Sequence, residues 1–260
     1  MIHRRHGRAS TMDVYWLEQA ESEIPAHDQW LSVRDAACLG GLRFAKRRAD
    51  WRLGRWTAKR ALAIYWKIPT DPKTLSEIEI RPALSGAPEV FLADKPADVA
   101  ISLSHRSDVA GCAIAKSGAM LGFDLEIAEC RSEAFVRDYF AAEEQGLITR
   151  VHAADRSQLV ALLWSAKESA LKALRAGLRL DTRSVIVSPL AQDQGGDEPG
   201  RIRELDSSSR LPYALDNWCP LRVRCADGQV FQGWWQHTGS LLRTLVAAPQ
   251  PVRPTLLKNS

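Results

Sequence analysis

The sequence predicts an α+β fold built from two similar halves, and two observations lead to this class. The chain has 260 residues, 45% of them hydrophobic, which suits either one large domain or two units of the commonest domain size, about 100 to 150 residues. The order of a strand, long helices and several strands occurs twice. We therefore expect halves at 13–117 and 118–249, with a disordered leader at 1–12 and a loose tail at 250–260.

The elements of the first half follow from hydrophobic periodicity. A short apolar segment at 14–17 indicates the first strand, and apolar residues at helical spacing predict helices over 26–40 and 44–66. The next segment is interrupted by prolines, which predicts short strands and turns. Two better strands, VAISLS at 99–104 and VAGCAIA at 109–115, are joined by a turn.

The second half starts with an alternating strand over 120–127. An acidic helical region around 143–144 and a strong helix over 157–175 follow it. The segment 191–200, AQDQGGDEPG, reads as an exposed loop, and two apolar segments around Gly239-Ser240 predict a hairpin.

Charge and cysteine content restrict the function class. Lys and Arg number 35 against 31 Asp and Glu, a net charge of +4, which is too small to indicate nucleic acid or an acidic membrane surface. No apolar run reaches the length of a membrane span. The five cysteines are odd in number and form no CxxC, which favours small core residues in a reducing compartment. We expect a cytoplasmic monomer with no nucleic-acid or membrane partner.

The strand MLGFDLEI carries a pair of carboxylates. Successive side chains of a strand point to opposite faces, so Asp124 and Glu126 share one face, about 6 to 7 Å apart, while the apolar residues face the core. Two such charges repel unless a cation lies between them, and their oxygens suit Mg²⁺ or Mn²⁺. The alternative is a solvated strand face with incidental charges.

The helix through LVALLWSAKESALKALRAG presents Trp164, Glu168 and Lys172 on one face, at spacing i, i+4, i+8. Beside the strand carboxylates, this face would add a third carboxylate and a cation for phosphate. The alternative is an ordinary surface pair between Glu168 and Lys172.

A basic helix lies in the first half. Between residues 43 and 60 there are eight basic residues and one acid. Arg48, Arg52, Arg55 and Lys59 fall within a sector of about 60° on a helical wheel. Such a stripe suits a phosphate monoester, a nucleic-acid backbone or an acidic protein, and the alternative is a solvated face.

Ser104 and His105 end a predicted strand in ISLSHRSD. A nucleophile and its base are rarely adjacent in sequence, and no Gly-x-Ser-x-Gly is present, so a hydrolase triad is not favoured. The two side chains fit better as hydrogen-bond donors to an anionic substrate.

Together these motifs resemble the Sfp-type 4′-phosphopantetheinyl transferases. The segments ISLSHRSD, GFDLE and WSAKESALK are similar to three motifs of that family, in the same order, and KRRADWRLGRWTAKRAL is similar to its basic segment. The resemblance covers about residues 44–180. It implies a pseudo-duplicated fold with the active site in the cleft between the halves. It also implies transfer of the phosphopantetheine arm of coenzyme A to a serine of an acyl or peptidyl carrier protein, releasing 3′,5′-ADP.

The resemblance also implies residue roles by motif position. Asp124, Glu126 and Glu168 would hold Mg²⁺, with Mn²⁺ as an alternative. Lys172 would contact phosphate oxygens or the nucleophile, with Lys167 beside it. Glu144 lies where many members have an acid that helps deprotonate the serine, so the implied catalytic residues are Asp124, Glu144, Glu168 and Lys172.

Coenzyme A would lie in the cleft between the halves, with Lys167 and Lys172 on one side and residues of the first half on the other. The resemblance implies that Ser104 and His105 bind the 3′-phosphate together with Arg47 and Arg55, whereas the helical wheel adds Lys59. Only Arg55 is supported by both arguments among the arginines. Some family members have Gly-Lys-Pro where this chain has Gly86-Ala87-Pro88, so one phosphate contact is missing or is supplied elsewhere.

Two other functions stay open at the level of sequence. A metal-dependent phosphohydrolase acting on coenzyme A or a nucleotide would use the same carboxylates without a carrier protein. A non-catalytic nucleic-acid binder would use the basic helix alone, and its affinity would fall with salt.

Overall fold

The protein is described by a computed structural model covering residues 11–192, 202–204 and 215–258, and it contains mixed helix and sheet. The α-helices are α1 (Val33–Gly41), α2 (Ala45–Trp66), α3 (Pro72–Ser76), α4 (Glu133–Tyr139), α5 (Ala142–Arg150) and α6 (Arg156–Ala173). The strands up to the middle of the chain are β1 (Thr11–Met12), β2 (Tyr15–Ala20), β3 (Ile78–Pro82), β4 (Pro88–Leu92), β5 (Lys95–Pro96), β6 (Val99–Arg106), β7 (Val109–Lys116) and β8 (Met120–Ile127). The later strands are β9 (Val185–Gln192), β10 (Ile202–Glu204), β11 (Leu215–Cys225), β12 (Val230–Thr238), β13 (Leu241–Ala248), β14 (Gln250–Pro251) and β15 (Thr255–Leu256).

Two larger sheets dominate the described residues. One has six strands in the order β10-β9-β11-β12-β13-β8, and the other has four in the order β15-β2-β7-β6. A three-stranded sheet, β3-β4-β5, and the pair β1-β14 complete the set. The apolar side of α6 packs on the six-stranded sheet, and that of α2 packs on the four-stranded sheet. Each long helix thus buries its apolar face against a sheet of its own.

Most sequence-predicted elements are confirmed. The helices expected over 44–66 and 157–175 are α2 and α6, the strand over 120–127 is β8, and the hairpin around Gly239-Ser240 joins β12 to β13. The helix expected over 26–40 begins only at Val33. The reason is Ser32, whose Oγ accepts a hydrogen bond from the Asp35 N–H at 3.1 Å and so fixes the helix start as an N-cap.

The ends of the chain differ from the expectation of a leader at 1–12 and a loose tail at 250–260. Residues 1–10 lie outside the described residues, and residues 11–12 form β1, parallel to β14. The tail is not loose through residue 258, because β15 pairs parallel with β2 and the N–H of Leu257 donates to the Trp16 carbonyl at 2.8 Å. Backbone hydrogen bonds with few buried side chains order this tail, so no periodicity reveals it. Of the predicted loop 191–200, the first two residues belong to β9 and the rest lies outside the described residues.

Serine hydroxyls join the two larger sheets at β6 and β8. Ser102 Oγ accepts from the Phe123 N–H at 2.9 Å, and Ser104 Oγ accepts from the Leu125 N–H at 3.1 Å. Phe123 and Leu125 are buried in a core cluster between the sheets that also contains Trp16. Within the described residues, no helix combines the length and apolar character needed to cross a membrane.

Candidate active site

The candidate site lies where β8 passes under α6, and Gly122 sets that distance. A Cβ atom built on Gly122 would lie 1.7 Å from the backbone oxygen of Ser169, so no larger residue fits without moving one of the two elements. The close approach brings the next residue on the same strand face, Asp124, against α6. The alternation expected from the sequence is therefore correct, but the polar face of β8 is covered by the helix rather than solvated.

Asp124 is the centre of a hydrogen-bond network and is only 7% exposed. Its Oδ1 accepts from Ser104 Oγ at 2.8 Å and from Lys172 Nζ at 2.7 Å. Its Oδ2 accepts from Ser165 Oγ at 2.8 Å. These contacts compensate a carboxylate that would otherwise be costly to bury. They also bring together three sequence segments: Ser104 from β6, Asp124 from β8, and Ser165 and Lys172 from α6.

Glu168 and Glu126 complete the carboxylate set. Burial raises the pKa of Glu168, the charges of Asp124 and Glu126 raise it further, and Lys172 opposes them. Asp124 and Glu126 are therefore near enough to Glu168 for their charges to oppose its ionisation. Glu126 is 3.0 Å from Arg106 Nε and 3.4 Å from Arg131 Nη2, so an arginine pair balances its charge.

The donor chemistry of these carboxylates fits a divalent cation. Carboxylate oxygens are the hard ligands that Mg²⁺ prefers. Among the described residues, however, no three His, Cys, Asp or Glu side chains converge as a finished metal cage, because Lys172 and Arg106 balance Asp124 and Glu126 instead. The carboxylate oxygens are therefore of the type that Mg²⁺ binds. The present ion pairs would have to rearrange before the ion could bind.

Lys167 and Glu144 lie in the core rather than on an open site surface. Their charged atoms are 2.7 Å apart, and the side chains are 0% and 1% exposed. Lys167 Nζ also donates to the Thr182 carbonyl at 2.9 Å and to that of Val185. Glu144 accepts from the Ala141 and Val187 N–H groups. Because every one of these contacts is internal, the arrangement offers neither side chain to a ligand.

Lys59 on α2 has a similar arrangement. Lys59 Nζ lies 2.6 Å from Asp35, is fully buried, and donates to the Trp30 and Leu75 carbonyls at 3.1 and 3.0 Å. Each lysine also lies over a buried aromatic ring, Trp30 for Lys59 and Phe140 for Lys167. The expectation that Lys59 faces a phosphate does not fit this burial. The helical wheel indicated a shared face but not what covers it.

The rest of the basic stripe faces the segment before α2. Arg48 Nη1 donates to the Leu39 carbonyl at 2.7 Å, near the end of α1, and Arg52 Nη2 donates to the Pro25 carbonyl at 2.8 Å. Arg55 Nε is 3.7 Å from Asp35. These arginines satisfy carbonyl groups and two carboxylates of the segment 25–42, the second being Asp28, which lies 2.9 Å from Arg52 Nη2. Only Arg55 among the three also lines the cavity described below.

The residues expected around a 3′-phosphate are not gathered at one point. Ser104 is engaged with Asp124, whereas His105 is half-exposed and its Nε2 lies 3.7 Å from Asp50. Arg47 is exposed near the start of α2. Of the four residues in this group, Arg55 alone borders the cavity.

A cavity of about 730 Å³ opens at Lys172, the lysine bonded to Asp124, and none of the three carboxylates is among its lining residues. Elements of both sheets border it: β3, β4 and β6 with the turn Gly86-Ala87-Pro88 on one side, and β8 with the end of α6 on the other. Its cationic lining residues are Arg55, Arg81, Lys172 and Arg175. The sequence motifs identified Arg55 and Lys172 but missed Arg81 and Arg175, as well as Ser165 on Asp124. Ser165 could have been suspected because it lies one turn before Glu168 on the helix.

A search of curated proteins found no match. Among solved structures 21 chains match. One of them is a holo-(acyl-carrier-protein) synthase from Bacillus anthracis str. Ames in complex with CoA (3′,5′-ADP), with 18% identity over 41% of this chain and 97% of that chain and a TM-score of 0.34. The family model described as the 4′-phosphopantetheinyl transferase superfamily matches residues 120–209, a segment that contains Asp124, Glu126, Glu168 and Lys172.

Proposed function

We propose that this chain is an Sfp-type 4′-phosphopantetheinyl transferase, which moves the phosphopantetheine arm of coenzyme A to a serine of an apo acyl or peptidyl carrier protein. The observation that carries the proposal is the contact of Lys172 with Asp124 at the edge of the cavity, within the segment that matches the superfamily model. This contact places a cation that would bind phosphate next to carboxylates that would bind a metal ion. A diphosphate substrate needs both groups.

The reaction would be a phosphoryl transfer. The serine oxygen forms a bond to the phosphorus that carries the pantetheine arm, and the bond from that phosphorus to the bridging oxygen breaks. The serine proton passes to water, and 3′,5′-ADP leaves with the bridging oxygen. Such a transfer depends chiefly on positioning and on stabilising charge at the phosphate oxygens.

The residues of this chain would divide the work as follows. Asp124, Glu126 and Glu168 would hold Mg²⁺, which supplies charge neutralisation at the diphosphate when bound. Lys172 would donate to a phosphate oxygen, and Arg55 would face the nucleotide from the other side of the cavity. Ser104 and Ser165 would orient Asp124, and the Lys167 to Glu144 pair would fix α6 in the core.

The proposed architecture is an internal duplication, with halves at 13–117 and 118–249 and the active site in the cleft between them. The support comes from the two buried lysine pairs, Lys59 with Asp35 and Lys167 with Glu144. In each half a long helix carries the lysine and the preceding helix carries the carboxylate in its first turn. Descent of both halves from one ancestral unit would explain both pairs at once. Separate functional requirements would have to explain each pair independently.

The test is to incubate the purified protein with coenzyme A, Mg²⁺ and an apo carrier protein and to weigh the carrier by mass spectrometry. We expect the carrier to gain one phosphopantetheine arm, and we expect Asp124→Asn and Glu168→Gln to remove most of this gain. A matched control is Asp181→Asn, which changes an exposed carboxylate paired with Arg183 and should leave the rate unchanged.

The same incubation separates the alternatives. Loss of phosphate from coenzyme A without carrier modification would indicate a phosphohydrolase and contradict the proposal. An unmodified carrier together with binding to nucleic acid that weakens steeply with salt would favour a nucleic-acid binder.

A further inference from the structure

We propose that Arg175 binds a phosphate group of the ligand that occupies the cavity. No motif identified in the sequence assigns this residue. The identity of the ligand, coenzyme A, rests on the proposed function. The choice of Arg175 rests on the structure.

The position of Arg175 is unusual for an arginine. Helix α6 ends at Ala173, and Arg175 follows with a φ of 54°. This is the left-handed conformation that commonly ends a helix, where glycine is preferred because the Cβ atom of any other residue crowds the following carbonyl oxygen. Glycine follows two residues later, at Gly177, so the sequence carries a strained residue although the turn would accept glycine. Lys67 ends α2 in the same left-handed conformation, so the backbone alone does not single out Arg175. Its place on the lining of the cavity does.

The cavity gives a reason through its charges. Arg81 is 2.7 Å from Glu79, pairs with Asp94 and lies over the Phe91 ring. The two carboxylates neutralise the charge of Arg81, so it offers little attraction to an anionic ligand. Its side chain therefore stabilises the three-stranded sheet.

The other two cations of the lining are also engaged. Lys172 is bonded to Asp124 at 2.7 Å, and Arg55 lies 3.7 Å from Asp35. For the Arg175 guanidinium, in contrast, the described part of the chain offers no hydrogen bond, ion pair or ring contact. Its five N–H donors remain available to the cavity.

An anionic ligand suits this arrangement. The lining has four cations against one carboxylate, Glu89, in the described residues. Arg175 follows Lys172 by less than one helical turn, so both can reach one polyphosphate. A guanidinium can donate two parallel hydrogen bonds to a phosphate, which gives it geometric selectivity as well as charge.

The experiment is isothermal titration of the full-length chain with coenzyme A, dephospho-coenzyme A and inorganic pyrophosphate. The variants are Arg175→Gly, which suits the left-handed backbone, and Arg175→Lys, which keeps the charge. Arg183→Ala removes the same charge from an exposed site outside the cavity and is the matched control. Thermal melting of each variant checks the fold.

We expect Arg175→Gly to melt no lower than the unchanged chain and to weaken coenzyme A about tenfold or more, because a charged hydrogen bond to phosphate is lost. Arg175→Lys should recover part of the affinity, and Arg183→Ala should bind as the unchanged chain does. A loss confined to coenzyme A would identify the 3′-phosphate as the group bound, and a loss shared with dephospho-coenzyme A or pyrophosphate would identify the diphosphate; either supports the proposal.

Equal affinity of the unchanged chain and Arg175→Gly for all three ligands would overturn this inference while leaving the proposed transferase intact. If the unchanged chain failed to bind coenzyme A at all, both the inference and the proposed function would be wrong.

Discussion

Lys167 Nζ lies 2.7 Å from a carboxylate oxygen of Glu144, with both side chains buried. Burial raises the pKa of Glu144 and lowers that of Lys167, and their mutual attraction opposes both shifts. A buried pair of this kind stabilises little by itself, but removing one partner leaves an uncompensated charge in the core. Glu144 was expected from the resemblance to assist deprotonation of a serine, and its position as the partner of Lys167 argues for a structural role.

The first prediction separates these two roles. Glu144→Gln and Lys167→Met should each lower the free energy of unfolding by about 3 to 5 kcal/mol, measured by urea denaturation. The double variant Glu144→Leu/Lys167→Met should regain most of the stability and also most of the transfer activity, because no buried charge is left unpaired. A base cannot be restored by removing a lysine, so a folded but inactive double variant would contradict a purely structural role for the pair.

The pair of Lys59 and Asp35 supplies the control for this prediction. Asp35→Asn and Lys59→Met should be destabilising by a similar amount, and Asp35→Leu/Lys59→Met should recover in the same way, since this pair has the same kind of buried contact. Recovery of only one of the two pairs would argue against a shared structural role.

The second prediction concerns Gly122. Gly122→Ala places a Cβ atom against the backbone oxygen of Ser169, which cannot rotate away, so β8 and α6 must separate. We expect a loss of about 1 to 3 kcal/mol in unfolding free energy and a larger loss in transfer rate, because Asp124 moves away from Ser165 and Lys172.

The matched control is Gly54→Ala in the middle of α2, where a Cβ atom meets nothing within 4 Å. This change should stabilise the chain by about 0.5 to 1 kcal/mol, as alanine does in a helix interior. Equal stability effects of the two alanines would mean that the packing of β8 on α6 is not as close as described.

Sequence patterns located the main elements of this fold because their apolar residues are periodic. The limits of β8, α2 and α6 agree with the prediction to within about two residues. Periodicity also placed Asp124 and Glu126 on one strand face, and Glu168 and Lys172 on one helix face. These are local properties of one strand and one helix.

What the sequence could not supply is the identity of the neighbour on each face. Arg55 and Lys59 share a helix face, yet Lys59 is sealed in the core with Asp35 whereas Arg55 also reaches the cavity. Ser104 looked like a ligand for phosphate and is instead bonded to Asp124. Such contacts join residues distant in sequence and depend on how the sheets and helices pack, which no local pattern encodes.

The third prediction tests the one cavity residue from the basic stripe. Arg55→Ala should weaken coenzyme A more than dephospho-coenzyme A if Arg55 contacts the 3′-phosphate, as the resemblance implies. Arg48→Ala is the matched control, because Arg48 lies on the same helix face but donates to the Leu39 carbonyl outside the cavity. Titration of both variants with both ligands decides the matter, and equal losses for the two ligands with Arg55→Ala would contradict the assignment.

The fourth prediction concerns pH and His237. Burial lowers the pKa of His237, helped by the nearby Arg243 charge, and within the described residues neither ring nitrogen has a hydrogen-bond partner. The folded state therefore binds a proton less readily than the unfolded state. Titration of His237 should therefore leave the free energy of unfolding unchanged above the unfolded-state pKa of about 6.5. It should lower that free energy as the pH drops below this value.

The measurement is the melting temperature of the unchanged chain and of His237→Phe between pH 8 and pH 5. We expect the melting temperature of the variant to rise relative to that of the unchanged chain as the pH falls, because phenylalanine has no proton to take up. A difference that stays constant across this range would show that His237 has the same pKa in both states.

The last prediction asks whether Ser104 binds substrate or positions Asp124. Its Oγ donates to Asp124 Oδ1 and accepts from the Leu125 N–H, so the hydroxyl is engaged within the protein and ties β6 to β8. Ser104→Ala should therefore leave the ratio of affinities for coenzyme A and dephospho-coenzyme A unchanged, while it raises the Mg²⁺ concentration needed for half-maximal transfer. His105→Ala is the contrast, because His105 is half-exposed near Asp50 and should not change the Mg²⁺ requirement. Should Ser104→Ala instead lose affinity for coenzyme A alone, with an unchanged Mg²⁺ requirement, Ser104 would be a 3′-phosphate ligand as the motif first suggested, and its contact with Asp124 would have to open when the nucleotide binds.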